Sequence, residues 1–374
     1  MKRLKYFCFY HCSQPNNRRD NSPAADTKID YIVEVLNRLG YGVDIISLAP
    51  LSERKFYKRG TVISNGQNTY RYFASFGHLN NRIIRKLNKY WMLFQLLIWS
   101  LSNIVKQEKI LVYHSSYEMI FLFLKKVKKI FLIGEIEEIY QNYLDYSKYA
   151  SWKEYKFFSV CDKFIFPNTI LNEYINQTTK KEYIVIHGVY RYSAKRSTTS
   201  DGKIHVLYSG TFNAKKGGAL VAIKMAEYLT DNYIVHICGF GNENETLSIR
   251  EAVAKSSCSN RIVFHGFLSP ESFESVIQSC HIGLCTQDPS TPLNLTSFPS
   301  KILYYMSYGL AVVTGHNRAI DESKVVNNLV FYNNQDSYSI ANAVHSIAIN
   351  TNNNRDLIAQ LDTEFEQDLK CIIG

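Results

Sequence analysis

Short β-type runs alternate with helix-period segments along most of the sequence, and that alternation limits the possible folds more than any other feature. Strands separated by helices run parallel, because each helical crossover carries the chain back to the same end of the sheet and covers a sheet face. Residues 4–9 form the first such run. After a polar loop, Ile29, Ile32, Val33, Leu36 and Leu39 recur at the spacing of an amphipathic helix, which Gly40 ends. Residues 43–48, 110–113, 130–133, 163–166 and 183–186 continue the set of strands. The expected class is α/β with doubly wound parallel sheets.

At 374 residues the chain exceeds one ordinary core and suits two. Residues 191–203, rich in Ser, Thr, Lys and Arg with almost nothing apolar, read as a linker between a first domain over 1–190 and a second over 204–348. The second domain repeats the alternation, with strands expected at 205–208, 233–238, 261–265, 282–285 and 310–314. Helices are expected near 218–230, 243–255, 270–280 and 300–308. Residues 349–374 are expected to form a C-terminal helix packing back toward the first domain. In two such domains ligands bind outside the carboxyl ends of the strands, in a cleft that the domains face.

Charge separates the halves. Residues 1–190 hold 28 Lys and Arg against 16 Asp and Glu, whereas the remainder holds 15 against 17. A one-sided positive field suits nucleic acid, an anionic membrane or a polyanionic substrate. Nucleic acid is disfavoured, because no recognition module is present and the aromatic residues are spread through strands and helices instead of forming a stacking platform. The eight cysteines show no metal-type spacing and read as reduced core thiols. The apolar stretch at 6–10 is too short for a signal-peptide core, so it is expected to be a strand of a cytoplasmic protein. The segment 81–106 starts with Arg82, Arg85, Lys86 and Lys89 and becomes Trp- and Phe-rich, but is too short and too interrupted to span a bilayer. It is equally suited to packing on the sheet and to peripheral contact with the inner face of an anionic membrane.

The strongest local signal is the stretch 297–309. Pro299 suits the first turn of a short helix and Gly309 the position past its end. Lys301 falls in the first turn, where the helix dipole favours an anion; that placement is poor for the helix and good for a diphosphate. Its plain alternative is a surface lysine. Residues 208–218 form a glycine-containing turn between strand and helix that carries Lys215 and Lys216 and does not match the Walker pattern. Gly239 and Gly266, the latter followed by Phe267, likewise end strands and reopen helices.

Taken together, Ser209-Gly-Thr with Lys216-Gly-Gly, Gly239-Phe-Gly, Phe264-His-Gly-Phe, the strand 279–284, and Phe298-Pro-Ser-Lys-Ile with Tyr305-Met and Gly309 resemble the donor domain of retaining glycosyltransferases of family 4, in the branch that builds bacterial surface and capsular polysaccharides. The resemblance implies the GT-B fold, two Rossmann-like domains facing a central cleft, with an acceptor domain followed by a donor domain. It implies a nucleotide diphosphate-sugar as donor, a saccharide or lipid-linked saccharide as acceptor, retention of anomeric configuration, and no metal or other cofactor. The implied donor-side residues are Gly210, Thr211, Gly239, Gly266, Phe267, Ser297, Phe298, Pro299, Ser300 and Tyr304. Lys216 and Lys301 are the implied phosphate cations.

In the first half the resemblance is looser. His114 follows a strand where the family places a histidine beside the donor sugar. Glu135 and Glu137 are acceptor-side candidates, although with Glu138 they also suit the acidic start of a helix, the reading favoured from sequence. The chain departs from the family where two glutamates are usual, at Thr296 and Tyr304, and where an arginine is usual, at Thr211. These departures keep two alternatives open: a sugar-nucleotide epimerase of the same fold and a catalytically silent partner protein.

Overall fold

The computed structural model describes residues 2–12, 19–20, 22–52, 57–77, 81–140, 147–192, 201–213, 218–286, 297–348 and 354–374. The chain divides into two compact units, Met1–Ile186 with Phe365–Gly374, and His187–Glu364.

The first unit opens with β1 (Lys2–Cys8), α1 (Pro23–Arg38) and β2 (Tyr41–Ser47). Four short strands follow: β3 (Tyr57–Lys58), β4 (Thr61–Asn65), β5 (Asn68–Tyr72) and β6 (Ser75–Phe76). Then come α2 (Arg82–Asn103), β7 (Lys109–Tyr113), α3 (Glu118–Lys128) and β8 (Phe131–Glu135). α4 (Lys148–Val160), β9 (Lys163–Phe166), α5 (Thr169–Asn176) and β10 (Tyr183–Val185) complete it. The main sheet has the order β10-β9-β8-β7-β1-β2-β5-β4 and is parallel except for β4, which pairs antiparallel with β5. Strand order reverses between β1 and β7, the point where such sheets open a ligand crevice.

Met92 and Leu96 of α2, Phe121 and Leu124 of α3, and Phe157 of α4 meet one face of this sheet in a single core with Phe7, Val112 and Phe164. α2 starts where it does because the Asn81 side chain accepts from the N–H groups of Ile83 and Ile84. The Glu135–Glu138 stretch does not start a helix, contrary to the sequence reading. Glu135 is the last residue of β8 and 136–139 are irregular.

The second unit runs β11 (Ile204–Thr211), α6 (Ala219–Met225), β12 (Tyr233–Phe240), α7 (Glu243–Lys255), β13 (Ile262–Gly266), α8 (Pro270–Gln278) and β14 (Ile282–Cys285). It continues with α9 (Ser300–Ser307), β15 (Ala311–Gly315), α10 (Arg318–Asp321), β16 (Leu329–Tyr332) and α11 (Ser337–His345). A last helix, α12 (Asn354–Ile373), begins in the second unit, and its final turns, from Phe365, belong to the first. The sheet order is β13-β12-β11-β14-β15-β16, wholly parallel, and the order reverses between β11 and β14. Val206, Tyr208, Val235 and Ile237 face α6, α7 and α11 in one core. The alternate residues face the other side, as the two-residue period of a strand requires.

On that other side the sheet order gathers histidines that the sequence keeps far apart. His205 Nδ1 lies 2.8 Å from His236 Nε2, and His236 Nδ1 lies 2.9 Å from His265 Nε2. His205 Nε2 reaches Asp201 at 3.0 Å, and the His281 ring accepts from the His205 N–H. Each N···N contact needs one donor and one acceptor, so the row is complete when its rings are neutral.

Candidate functional site

The carboxyl ends of β11 and β14 and the amino end of α9 meet at the point where the second sheet reverses its order. Pro299 is the residue before the first turn of α9 and not within it, one position earlier than its sequence suggests, and no side chain caps the helix start. Gly309, at φ +82°, takes the left-handed turn that ends the helix. Lys301 and Tyr305, one turn apart on the same side, reach back to β11. The Lys301 ammonium donates to the Ser209 carbonyl at 2.9 Å and sits 5.1 Å from the centre of the Tyr208 ring. The Tyr305 hydroxyl accepts from the Ser209 N–H at 2.9 Å and shares a hydrogen bond with Ser209 Oγ at 2.8 Å. Gly283 of β14 leaves the space that the Tyr305 ring fills; a side chain there would collide with it.

Lys301 is half-buried as a whole residue, and burial pulls the pKa of its ammonium below the ordinary lysine value. Among the described residues no carboxylate pairs with it. A cation held in this way, beside a carbonyl and over an aromatic face, retains donors for an anion that brings the missing charge.

The other donor-side residues fall around this point. Gly210 and Thr211 end β11 in parallel register with Gly239 and Phe240, and the ammonium of Lys301 lies where a side chain at 210 would begin. Gly266 ends β13, and Phe267 after it is 77% exposed, with its ring edge-on to that of Phe240 at 6.2 Å. Two uncovered aromatic rings at neighbouring strand ends form a surface on which a flat heterocycle can stack. Ser297 is half-buried, Ser300 is exposed at the first turn of α9, and Phe298 is buried and stacked on His187 at 5.0 Å. Tyr304 is stacked on Phe273 of α8 at 5.9 Å. Lys216 and Thr296 lie outside the described residues. Tyr305 and Phe240 were not singled out as site residues from sequence; the available signal was an aromatic residue four positions after Lys301 and another between two glycines.

In the first unit His114 and Glu135 are enclosed, and Glu137 is half-buried. The His114 ring is 1% exposed, stacked on Tyr140 at 4.8 Å and Phe157 at 5.7 Å, and neither ring nitrogen has a hydrogen-bond partner. Burial is what pushes its pKa down to about 3. The ring is therefore neutral, and its 3.5 Å approach to the buried Glu154 carboxyl is not an ion pair. Contact between His114 and a sugar requires the surrounding rings to move. Glu135 is fully buried and accepts from the Tyr6 hydroxyl; burial, opposed mainly by Lys28, pushes it up to about 7. Glu137 is held by Lys28, whose ammonium also meets the Ile186 carbonyl at 3.4 Å. Near the switch point of this sheet, a cavity of about 260 Å³ is lined by Phe9, Leu48, Leu51 and Ser116 from the strand ends and by Arg85 and Lys89 of α2.

Residues 203–350 match the family model described as glycosyl transferases group 1. No curated protein sequence matches the chain. Among solved structures, sucrose-phosphate synthase from Thermosynechococcus elongatus is similar over 100% of this chain and 95% of its own, at 12% identity and a TM-score of 0.65. The α,α-trehalose 6-phosphate synthase of Burkholderia multivorans covers 100% and 99%, at 10% identity and 0.66. Anabaena HepE in complex with UDP-glucose covers 99% and 98%, at 12% identity and 0.63. The chain thus has the GT-B fold of two Rossmann-like α/β units, and the family match over its second unit supports a glycosyltransferase. No helix among the described residues is long and apolar enough to cross a membrane.

Proposed function

We propose that the protein transfers a sugar from a nucleotide diphosphate-sugar to a saccharide or lipid-linked saccharide, with retention, in bacterial surface polysaccharide synthesis. It acts in the cytoplasm with peripheral contact to the inner face of the membrane. The observation that carries this reading is the Lys301 ammonium, without a carboxylate partner among the described residues, beside the end of β11 and the uncapped start of α9. A diphosphate there meets a full cation and the free N–H groups of the first helical turn together. Phe240 and Phe267 offer the base a stacking surface. UDP-glucose is bound by the similar HepE, which supports a donor of that class.

Breaking the bond between the sugar C1 and the phosphate oxygen leaves charge on the diphosphate and an oxocarbenium-like sugar. Lys301 and the α9 dipole are already aimed at the growing phosphate charge, so they stabilise it without reorganising and without a metal ion. The acceptor oxygen bonds C1 from the face the phosphate leaves, and its proton passes to the departing phosphate oxygen. The apolar cavity with Arg85 and Lys89 at its edge suits an acceptor that carries both an anion and an apolar tail.

Incubation with nucleotide sugars and a saccharide acceptor, with products read by NMR, tests the reading. A glycoside in the donor's anomeric configuration is expected. A rearranged sugar nucleotide formed without acceptor points to an epimerase instead, and failure of calorimetry to detect any nucleoside diphosphate points to a silent partner.

A further inference from the structure

The helices that cover one face of the first sheet are apolar on both sides. α2 buries Met92, Leu96 and Ser100 inward, yet it turns Ile83, Leu87, Tyr90, Phe94 and Ile98 to solvent at steps of three and four. This second stripe runs the length of the helix on one outer line. α3, packed against α2, repeats the pattern with Met119, Phe123 and Val127 at steps of four. α4, packed against α3, does so with Tyr149, Trp152 and Tyr155 at steps of three. These residues are between 41% and 68% exposed, so the rows form an uncovered apolar surface across three neighbouring helices.

Charge on this surface has one sign. The three helices contain two acids, Glu118 and Glu154, and both are buried. Arg82, Arg85, Lys86, Lys126, Lys148 and Lys156 are exposed among the apolar rows. The Glu118 carboxylate of α3 feels both Lys153 of α4 and Lys89 of α2, so the three helices share one electrostatic neighbourhood.

We infer that the outer face of α2, α3 and α4 docks on an anionic phospholipid bilayer, a proposal that deepens the membrane-side reading above and rests on it. An anionic bilayer satisfies both parts of the surface: lipid phosphates meet the cations, and the acyl boundary receives Leu87, Phe94, Phe123 and Trp152. A nucleic acid would engage the cations but give nothing to the aliphatic rows. A second copy of the chain docking face to face would set cations against cations. α2 also lines the 260 Å³ cavity with Ile84, Arg85 and Lys89, so docking along α2 places that cavity beside the lipid phase from which a lipid-borne acceptor phosphate arrives.

Vesicle flotation of the full chain tests the proposal, using phosphatidylcholine alone and phosphatidylcholine with phosphatidylglycerol. Two of the three tryptophans, Trp91 and Trp152, lie among the exposed residues, so a blue shift of emission on anionic vesicles reports insertion. Binding at least about tenfold stronger to the anionic vesicles is expected, falling with salt. The variant Leu87→Gln/Phe94→Gln/Phe123→Gln should lose about tenfold of that binding. Its melting curve and its calorimetric titration with uridine diphosphate should be unchanged, which separates failure of docking from failure of the donor reading. Equal partitioning to both vesicle types overturns the proposal. So does unaltered binding of the triple variant, or a wild-type chain that self-associates or binds an oligonucleotide through these residues in place of lipid.

Discussion

Replacing Lys301 with Met keeps the length and much of the volume of the side chain while removing its charge. The ammonium makes one hydrogen bond to the Ser209 carbonyl at 2.9 Å and has no carboxylate partner among the described residues. Losing a donor to that carbonyl costs about 1 kcal/mol, whereas relieving an uncompensated charge returns a similar or larger amount. The folded protein is therefore expected to be unchanged or stabilised by about 1 kcal/mol, a shift of roughly 2–4 °C in melting temperature for a unit of this size. Ligand binding should move in the opposite direction. A hydrogen bond to a charged phosphate is worth about 1.5–3 kcal/mol, so nucleoside diphosphate affinity should fall roughly 10- to 150-fold. Turnover should fall by about 10² to 10³, as for loss of one preorganised donor to developing charge. Calorimetric titration with uridine, guanosine and adenosine diphosphates, beside urea unfolding of both proteins, reads the two effects separately. A variant that unfolds more easily by more than about 1 kcal/mol yet binds the same nucleotide with wild-type affinity would show that Lys301 only pins α9 to β11.

Three further outcomes follow from the geometry. Phe267→Ala removes a ring that is 77% exposed, so it should leave the melting temperature unchanged while weakening nucleoside diphosphate binding by about 1–3 kcal/mol, read by the same calorimetry. The His236 pKa is pushed down to about 4 by burial and then by His205 and His265, so the folded state binds fewer protons than the unfolded chain between about 6.5 and 4. Stability is present above that window and lost as pH falls through it, by about 3 kcal/mol for this ring, and His236→Gln should flatten the urea midpoint against pH there. Glu135 shifts the other way, to about 7, so its ionisation costs stability as pH rises from about 4.5 to 7. Glu135→Gln should be relatively more stable at pH 8 than at pH 4, seen in parallel thermal melts.

Sequence legibility followed how local each signal was. β9 and β14 were placed at their observed bounds, because each holds three apolar residues in a short run, Phe164-Ile-Phe and Ile282, Leu284 and Cys285, flanked by polar or turn-forming residues. The hairpin of β4 and β5 was missed although Asn65-Gly66 marks its turn, with Gly66 at φ +58°; its strands are largely polar and β4 forms the sheet edge, so no apolar run announces them. Lys301 was legible from its place in a short helix, but its closeness to Ser209, 92 residues earlier, was not. The acids at 135–138 suggested a helix dipole because that is a local rule. What decides Glu135 instead is Tyr6, 129 residues away and two strands across the sheet. The histidine row is wholly a product of strand order, since nothing in the spacing of His205, His236 and His265 predicts their contact.

The most direct measurement is a crystal structure of the full chain with a tightly bound nucleoside diphosphate. The expected result is phosphate oxygens within hydrogen-bonding distance, about 3 Å, of both Lys301 Nζ and the first free N–H groups of α9, with the base against Phe267. A nucleotide seated elsewhere, or one whose phosphates turn away from Lys301, contradicts it.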